Sequence, residues 1–268
     1  MAPVDKCWAR AVSDCGGVIS REHYITRGIW LNRSLNVGGL PHLRGGRMDV
    51  TIDDVVAKVL CQHHNALLGP LDQALVDLIN CVREIARLRA AREGSRIKRH
   101  REITFVVDGL SIERCILKMV MNVSHVLRRN MDDWAPPEWL PDVIFGKRKL
   151  SDGAGLAICV RVGDQIREKE AVRLGFGKAA DDAEPTGLSV ELRDGMRFVC
   201  TWSKPVSAFP GFGIEGDMYL ADGVMLHPKQ FHHADFSLNL NYDWTGTWRE
   251  TRHGNVVALR DRYKSPAR

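Results

Sequence analysis

The sequence contains no uncharged apolar run near the roughly 18 residues that a membrane-spanning helix requires. Its first residues, Met1-Ala2-Pro3-Val4-Asp5-Lys6, form no apolar block of the kind that opens a secretory signal peptide. These absences lead to the expectation of a soluble, cytoplasmic protein without a membrane partner. There is no even, regularly spaced cysteine set; seven cysteines are scattered over 268 residues. That argues against a secreted disulfide framework and leaves thiols free for metal. No phosphate loop ending in Gly-Lys-Ser/Thr and no Gly-x-Ser-x-Gly elbow occurs, and Gly211-Phe212-Gly213 lacks the third glycine of a dinucleotide fingerprint. Nucleotide-driven and serine-hydrolase chemistries are therefore disfavoured. Internal repeats and low-complexity tracts are also missing.

What is present suffices for a globular core, with 44% hydrophobic and 26% charged residues. At about 150 residues per domain the length suggests two units. The formal charge of +5 is unevenly spread: residues 1–150 hold 23 Lys/Arg against 17 Asp/Glu, and residues 151–268 hold 15 against 16. The basic excess belongs to the first part, where it fits either a polyanionic partner or solvated helix faces.

Val18 to Ile25 alternates as a strand or half a hairpin, and Asp53 or Asp54 is placed to cap a short helix through Leu60. A stripe of period 3.6 through Leu71, Leu75, Leu78, Ile79, Val82 and Ile85 predicts a helix from about Leu71 to Glu93, ended by Gly94. Between Arg83 and Arg101 eight Lys/Arg stand against Glu84 and Glu93 alone, which suits a solvated helix end or a phosphate-contacting surface. Ile103–Val107 reads as a strand and Ser111–Leu127 as a second amphipathic helix. A junction is expected near Gly146–Gly155, followed by short strands at Leu156–Val162, Ala171–Phe176, Leu188–Leu192, Met196–Trp202, Ser237–Trp244 and Asn255–Leu259. Trp202, Tyr242, Trp244 and Trp248 are expected in the core of that β-rich part, and Cys81, Cys115, Cys159 and Cys200 read as small core residues.

The informative constellation is N-terminal. Cys7 and Cys15 precede Glu22-His23, and Cys61-Gln62-His63-His64-Asn65 follows. Thiolates and neutral imidazoles at this spacing can close a tetrahedral zinc site, for which Cys7, Cys15, Cys61 and His64 are the best four ligands. The alternative is that Cys7 and Cys15 are ordinary thiols in an irregular arm. His63 reads as structural, since only one of two neighbouring histidines is expected to join one site.

The run Cys15-Gly16-Gly17-Val18-Ile19-Ser20-Arg21-Glu22-His23-Tyr24-Ile25, followed by Leu60-Cys61-Gln62-His63-His64-Asn65, resembles the HNH endonuclease-like ββα-metal family of bacterial and phage proteins. The resemblance covers about residues 7–72. It implies hydrolysis of a phosphodiester, with His23 as general base and Glu22 and Asn65 as ligands of a catalytic Mg2+ or Mn2+, the soft Cys/His set being reserved for structural Zn2+. Adjacent strand residues point to opposite faces, so Glu22 and His23 share a site only if the hairpin is bent. Asp72 would join their face on a continuous helix, but Gly69-Pro70 intervenes.

The fold class that follows is α+β, with a zinc-stapled ββα-metal N-terminal module, an amphipathic helical middle and a β-rich C-terminal module. The domains are then 1–150 and 151–268. The expected function is a metal-dependent endonuclease acting on nucleic acid, DNA above RNA, through the basic region Arg83–Arg101. A role in defence against mobile DNA follows by family analogy, and the C-terminal module would contact a second copy or a partner protein. The alternative is a catalytically silent zinc-binding module that recognises nucleic acid or protein.

Overall fold

The computed structural model describes residues 6–27, 34–38, 47–93, 95, 103–127, 135–151, 154–159, 171–177, 185–191, 197–203, 230–233, 236–242 and 255–257. Four strands come first: β1 (Ile19–His23), β2 (Ser34–Gly38), β3 (Arg47–Thr51) and β4 (Val56–Cys61). Then follow α1 (Gln62–Glu93), β5 (Ile103–Asp108), α2 (Gly109–Leu127) and α3 (Leu140–Ile144). The remaining strands are β6 (Gly155–Cys159), β7 (Ala171–Gly177), β8 (Gly187–Glu191), β9 (Arg197–Thr201), β10 (Gln230–His233), β11 (Phe236–Asn241) and β12 (Asn255–Val257). The protein is thus α+β.

β1 and β4 form an antiparallel pair, and α1 leaves directly from the end of β4. The short helix expected before Leu60 is instead β4. Val55, Val59, Leu60 and Cys61 are buried, and the β-branched valines favour the pleated pairing with β1 over a lone helical turn. Asp54 does serve as a cap, but of a turn: its Oδ2 accepts the Thr51 N–H and the Thr51 hydroxyl, each at 2.7 Å.

α1 begins nine residues earlier than the apolar stripe predicted and runs through Gly69-Pro70 without a break. Pro70 removes one helical hydrogen bond. Burial on both sides outweighs that loss, because Leu68, Leu71, Ala74, Leu75 and Leu78 are all buried on one face. Farther along, Arg87 pairs with Glu84 and Arg89 with Glu93 on the same helix. Gly94, Arg96, Lys98, Arg99 and Arg101 lie outside the described residues.

α2 starts on Asp108, whose carboxylate takes the Ser111 N–H at 3.0 Å and the Ser111 hydroxyl at 2.7 Å. Gly109 is required there, since a Cβ would meet Leu240 and Tyr242 at 2.7 Å. α2 packs against α1 and β4 through Ile112, Cys115, Ile116, Met119, Val120 and Val123, all buried.

Two larger sheets complete the fold. One has the order β10-β11-β5-β12, and the other β3-β2-β7-β8-β9-β6. Both take strands from either side of Gly146–Gly155: β5 lies between β11 and β12, and β2 runs parallel to β7. Trp202 is buried and Tyr242 half-buried, with its hydroxyl donating to Glu113 Oε2 at 3.0 Å. Trp244 and Trp248 fall outside the described residues. Cys81, Cys115 and Cys200 are fully buried. No helix among the described residues is long and apolar enough to cross a membrane.

A Cβ added at Gly69 would meet nothing within 4 Å outside its two chain neighbours. Because Pro70 crowds a Cβ on the helical residue before it, Gly69→Ala should gain less stability to urea than the about 0.5–1 kcal/mol of an ordinary exposed helix position. A full gain would mean that the Pro70 ring does not restrict position 69.

Candidate functional site

Three stretches of chain meet at the start of α1. The N-terminal arm docks alongside β4, where the Trp8 N–H donates to the Val59 carbonyl at 3.2 Å and the Trp8 indole donates to Asn122 Oδ1 on α2 at 2.9 Å. This sets Cys7 beside Cys61. The turn at Gly17, with φ at 73°, folds Cys15 over the helix N-terminus. The first free N–H groups of α1, on Gln62 and His63, then donate to the carbonyls of Val18 and Gly16 at 3.0 and 3.1 Å.

The ligand atoms of Cys7, Cys15, Cys61 and His64 consequently lie within 4.8 Å of one another. From His64 Nδ1 the distances are 3.2 Å to Cys61 Sγ, 3.3 Å to Cys7 Sγ and 3.8 Å to Cys15 Sγ. A tetrahedral zinc with ordinary bond lengths requires a nitrogen-to-sulfur edge of about 3.6 Å. The donor set and its spacing therefore fit a structural zinc ion, and His64 rather than the exposed His63 is the imidazole in place.

The surroundings prepare His64 to ligate, whereas Cys7 and Cys15 hold their protons until an ion replaces them. His64 Nε2 lies 2.8 Å from Ser13 Oγ, and the tautomer that donates there leaves Nδ1 free to ligate. Burial, with help from His63 and Lys147, lowers the His64 pKa, so the ring is neutral at pH 7. The Cys61 N–H donates to Cys7 Sγ at 3.4 Å and the His64 N–H to Cys61 Sγ at 3.5 Å. Burial pushes the Cys7 thiol up, and burial together with the neighbouring thiols pushes Cys15 up to about 12. Phe145, just beyond α3, closes one side, 5.4 Å from the His64 ring and 6.1 Å from Trp8.

Next to this cluster, β1 and α1 enclose a cleft of about 310 Å³ lined by Arg21, Glu22, His23, Arg27, Asn65 and Asp72 among others. Glu22 and His23 both line this cleft, although they pair in regular succession with Ala57 and Val56; the register shift between Ser20 and Glu22 places its extra residue on β4, opposite Arg21. Glu22 is 5% exposed and accepts a hydrogen bond from Asn65. Burial pushes its carboxyl pKa up, and Lys118 opposes that shift. His23 is half-buried; burial first, then Arg27 and Arg21, lower its pKa and keep the ring neutral at pH 7. Carboxylate and amide oxygens beside a neutral imidazole are a donor set that fits a hard divalent cation.

No protein-family model, curated protein or solved structure matches this chain.

Asp72 was expected on this face only if the helix were continuous, and Lys118 escaped the sequence reading altogether. Asp72 shares the face of Asn65 because α1 does not break at Pro70. Lys118, on the buried face of α2, bridges Glu22 Oε1 at 2.5 Å and Asp72 Oδ2 at 2.8 Å. Burial opposes its charge, but Asp72 and Glu22 together outweigh burial and hold its pKa above the usual value. The available signal was a single lysine within the apolar run Cys115-Ile116-Leu117-Lys118-Met119-Val120-Met121.

Purified protein should carry one zinc per chain, and Cys61→Ser should lose it; a mutant that retains zinc would move the site elsewhere. Because the cysteines must give up their protons, zinc loading at pH 7 should release roughly two to three protons, measurable with an indicator in weak buffer. Ser13→Ala, which frees the far nitrogen of His64, should weaken zinc affinity about 10-fold or more in a chelator competition.

Proposed function

We propose that this protein is a metal-dependent endonuclease whose β1, β4 and α1 form a ββα-metal module stapled by structural zinc. The observation that carries the reading is the meeting of Glu22, His23 and Asn65 in one cleft beside the Cys7, Cys15, Cys61 and His64 cluster. The neutral His23 ring is suited to take a proton from a water attacking a phosphodiester. The Glu22 carboxylate and the Asn65 side-chain oxygen would hold Mg2+ or Mn2+. Such an ion, when bound, neutralises the scissile phosphate and the departing 3′ oxygen. Arg21 and Arg27 flank the reacting position and offer guanidinium groups to the phosphates on either side.

DNA is the substrate we favour, with the basic region Arg83–Arg101 as an additional backbone contact in cytoplasmic protein. On this reading the β-rich part after residue 150 contacts a second copy or a partner, and defence against mobile DNA is the biological setting. A second reading, a silent zinc-binding module that recognises nucleic acid or protein, draws support from the ion pair that already engages the buried Glu22.

His23→Ala separates the two. The substitution should leave zinc content and DNA binding intact while reducing Mg2+- or Mn2+-dependent nicking of plasmid DNA by about 100-fold or more. Undiminished nicking would remove His23 from the mechanism. If the zinc-loaded wild type cleaves neither single- nor double-stranded DNA or RNA, the silent module is the correct description.

A further inference from the structure

The cleft carries one more charged group than the proposed reaction uses. Lys118 is 1% exposed, so it meets neither solvent nor substrate, yet it contacts both carboxylates that line the cleft. Asp72 is fully engaged by the chain: Oδ2 accepts from Lys118, while Oδ1 accepts the Thr26 hydroxyl at 3.0 Å and the Cys115 thiol at 3.6 Å. Every polar partner of Lys118 given by the structure is therefore a carboxylate of this site.

The charge balance follows directly. Glu22 and Asp72 contribute two negative charges and Lys118 one positive, leaving a net single negative charge beneath the cleft. Burial pushes the Cys115 thiol up to about 12, so it adds none. His23 is neutral, and Arg21 and Arg27 add two positive charges to the lining, both on exposed side chains that solvent screens far more than the buried triad. Two carboxylates this close with no cation between them would repel each other and would draw a divalent ion far more strongly.

We propose that Lys118 is a built-in counter-cation that holds Glu22 in place and sets the charge of the cleft so that it binds a single, exchangeable hard divalent cation. Lys118 is thus a positioning residue acting through Glu22. The inference rests on reading the cleft as a divalent-cation site, and it does not depend on cleavage.

The test is a charge series in the full-length, zinc-loaded chain, titrated with Mn2+ while free Mn2+ is followed by electron paramagnetic resonance. The wild type should bind one Mn2+ besides its zinc. Lys118→Met, which leaves two negative charges, should bind Mn2+ about tenfold or more tightly, and Asp72→Asn, which leaves none, should bind it about tenfold or more weakly. The double substitution restores the wild-type net charge and should return to within about threefold of wild type. Equal affinities across the series, weaker binding in Lys118→Met, or no Mn2+ binding by the wild type would overturn the proposal. If Lys118→Met does not fold, the double variant must still bind Mn2+ more tightly than Asp72→Asn, and equality there overturns it. A series that holds without any plasmid cleavage keeps this inference and removes the nuclease reading. His23-dependent cleavage with a flat series does the reverse.

Discussion

Four soft ligand atoms within 4.8 Å of one another tie together an N-terminal arm, the end of β4 and the first turn of α1. Cys7 and His64 are 57 positions apart, and the arm is also held by the Trp8 indole on Asn122, its backbone on Val59, Lys147 Nζ donating to the Val12 carbonyl, and the burial of Trp8, Ala9 and Val12. A structural zinc contributes roughly 10–16 kcal/mol of apparent binding free energy, comparable to the whole stability of a typical domain. The position of α1 relative to β1 depends on this junction, and with it the approach of Asn65 to Glu22 and His23.

Under the cleft the balance is electrostatic. Lys118 between Glu22 and Asp72 is a buried ionic triad in which each carboxylate has further donors, Asn65 for one and Thr26 with Cys115 for the other. Breaking such an arrangement by removing one partner costs roughly 3–5 kcal/mol, whereas the intact triad contributes little net stability. Its value to the protein therefore lies in fixing where the Glu22 carboxylate sits. The Cys7, Cys15, Cys61 and His64 cluster and the triad lie at opposite ends of the same hairpin, one at the strand end at Cys61 and the other at Glu22 on β1.

The candidate metal cluster was legible because ligand chemistry is written in residue type: Cys7, Cys15, Cys61 and His64 stand out in any arrangement. The helices α1 and α2 were legible from apolar periodicity, except at the start of α1. There Gly69-Pro70 signals a break locally, and only the burial of Leu68 on one side and Leu71 on the other shows why the helix continues. Val55 to Leu60 fits helical and strand spacing alike, and its pairing with β1 decides between them. Glu22 and His23 are consecutive on a strand, where side chains alternate, so they were readable as candidates but their common place on the cleft was not. Lys118 was hidden because its partners lie 96 and 46 positions away, a relation that no local pattern encodes.

The route of the chain between β1 and β4 has a consequence for how the protein comes to be folded. That segment does not simply turn back; it supplies β2 and β3 to a six-stranded sheet whose other members begin at Gly155, and β5 waits for β11 and β12 on both its edges. A nascent chain that has emerged only through α3 would carry two sets of open strand edges, although all four residues of the metal cluster are by then available. Such edges are templates for pairing with another chain. High sequence separation between partners also makes folding slow. The latter half of the sequence thus acts during synthesis as the piece that covers the open sheet edges of the first half.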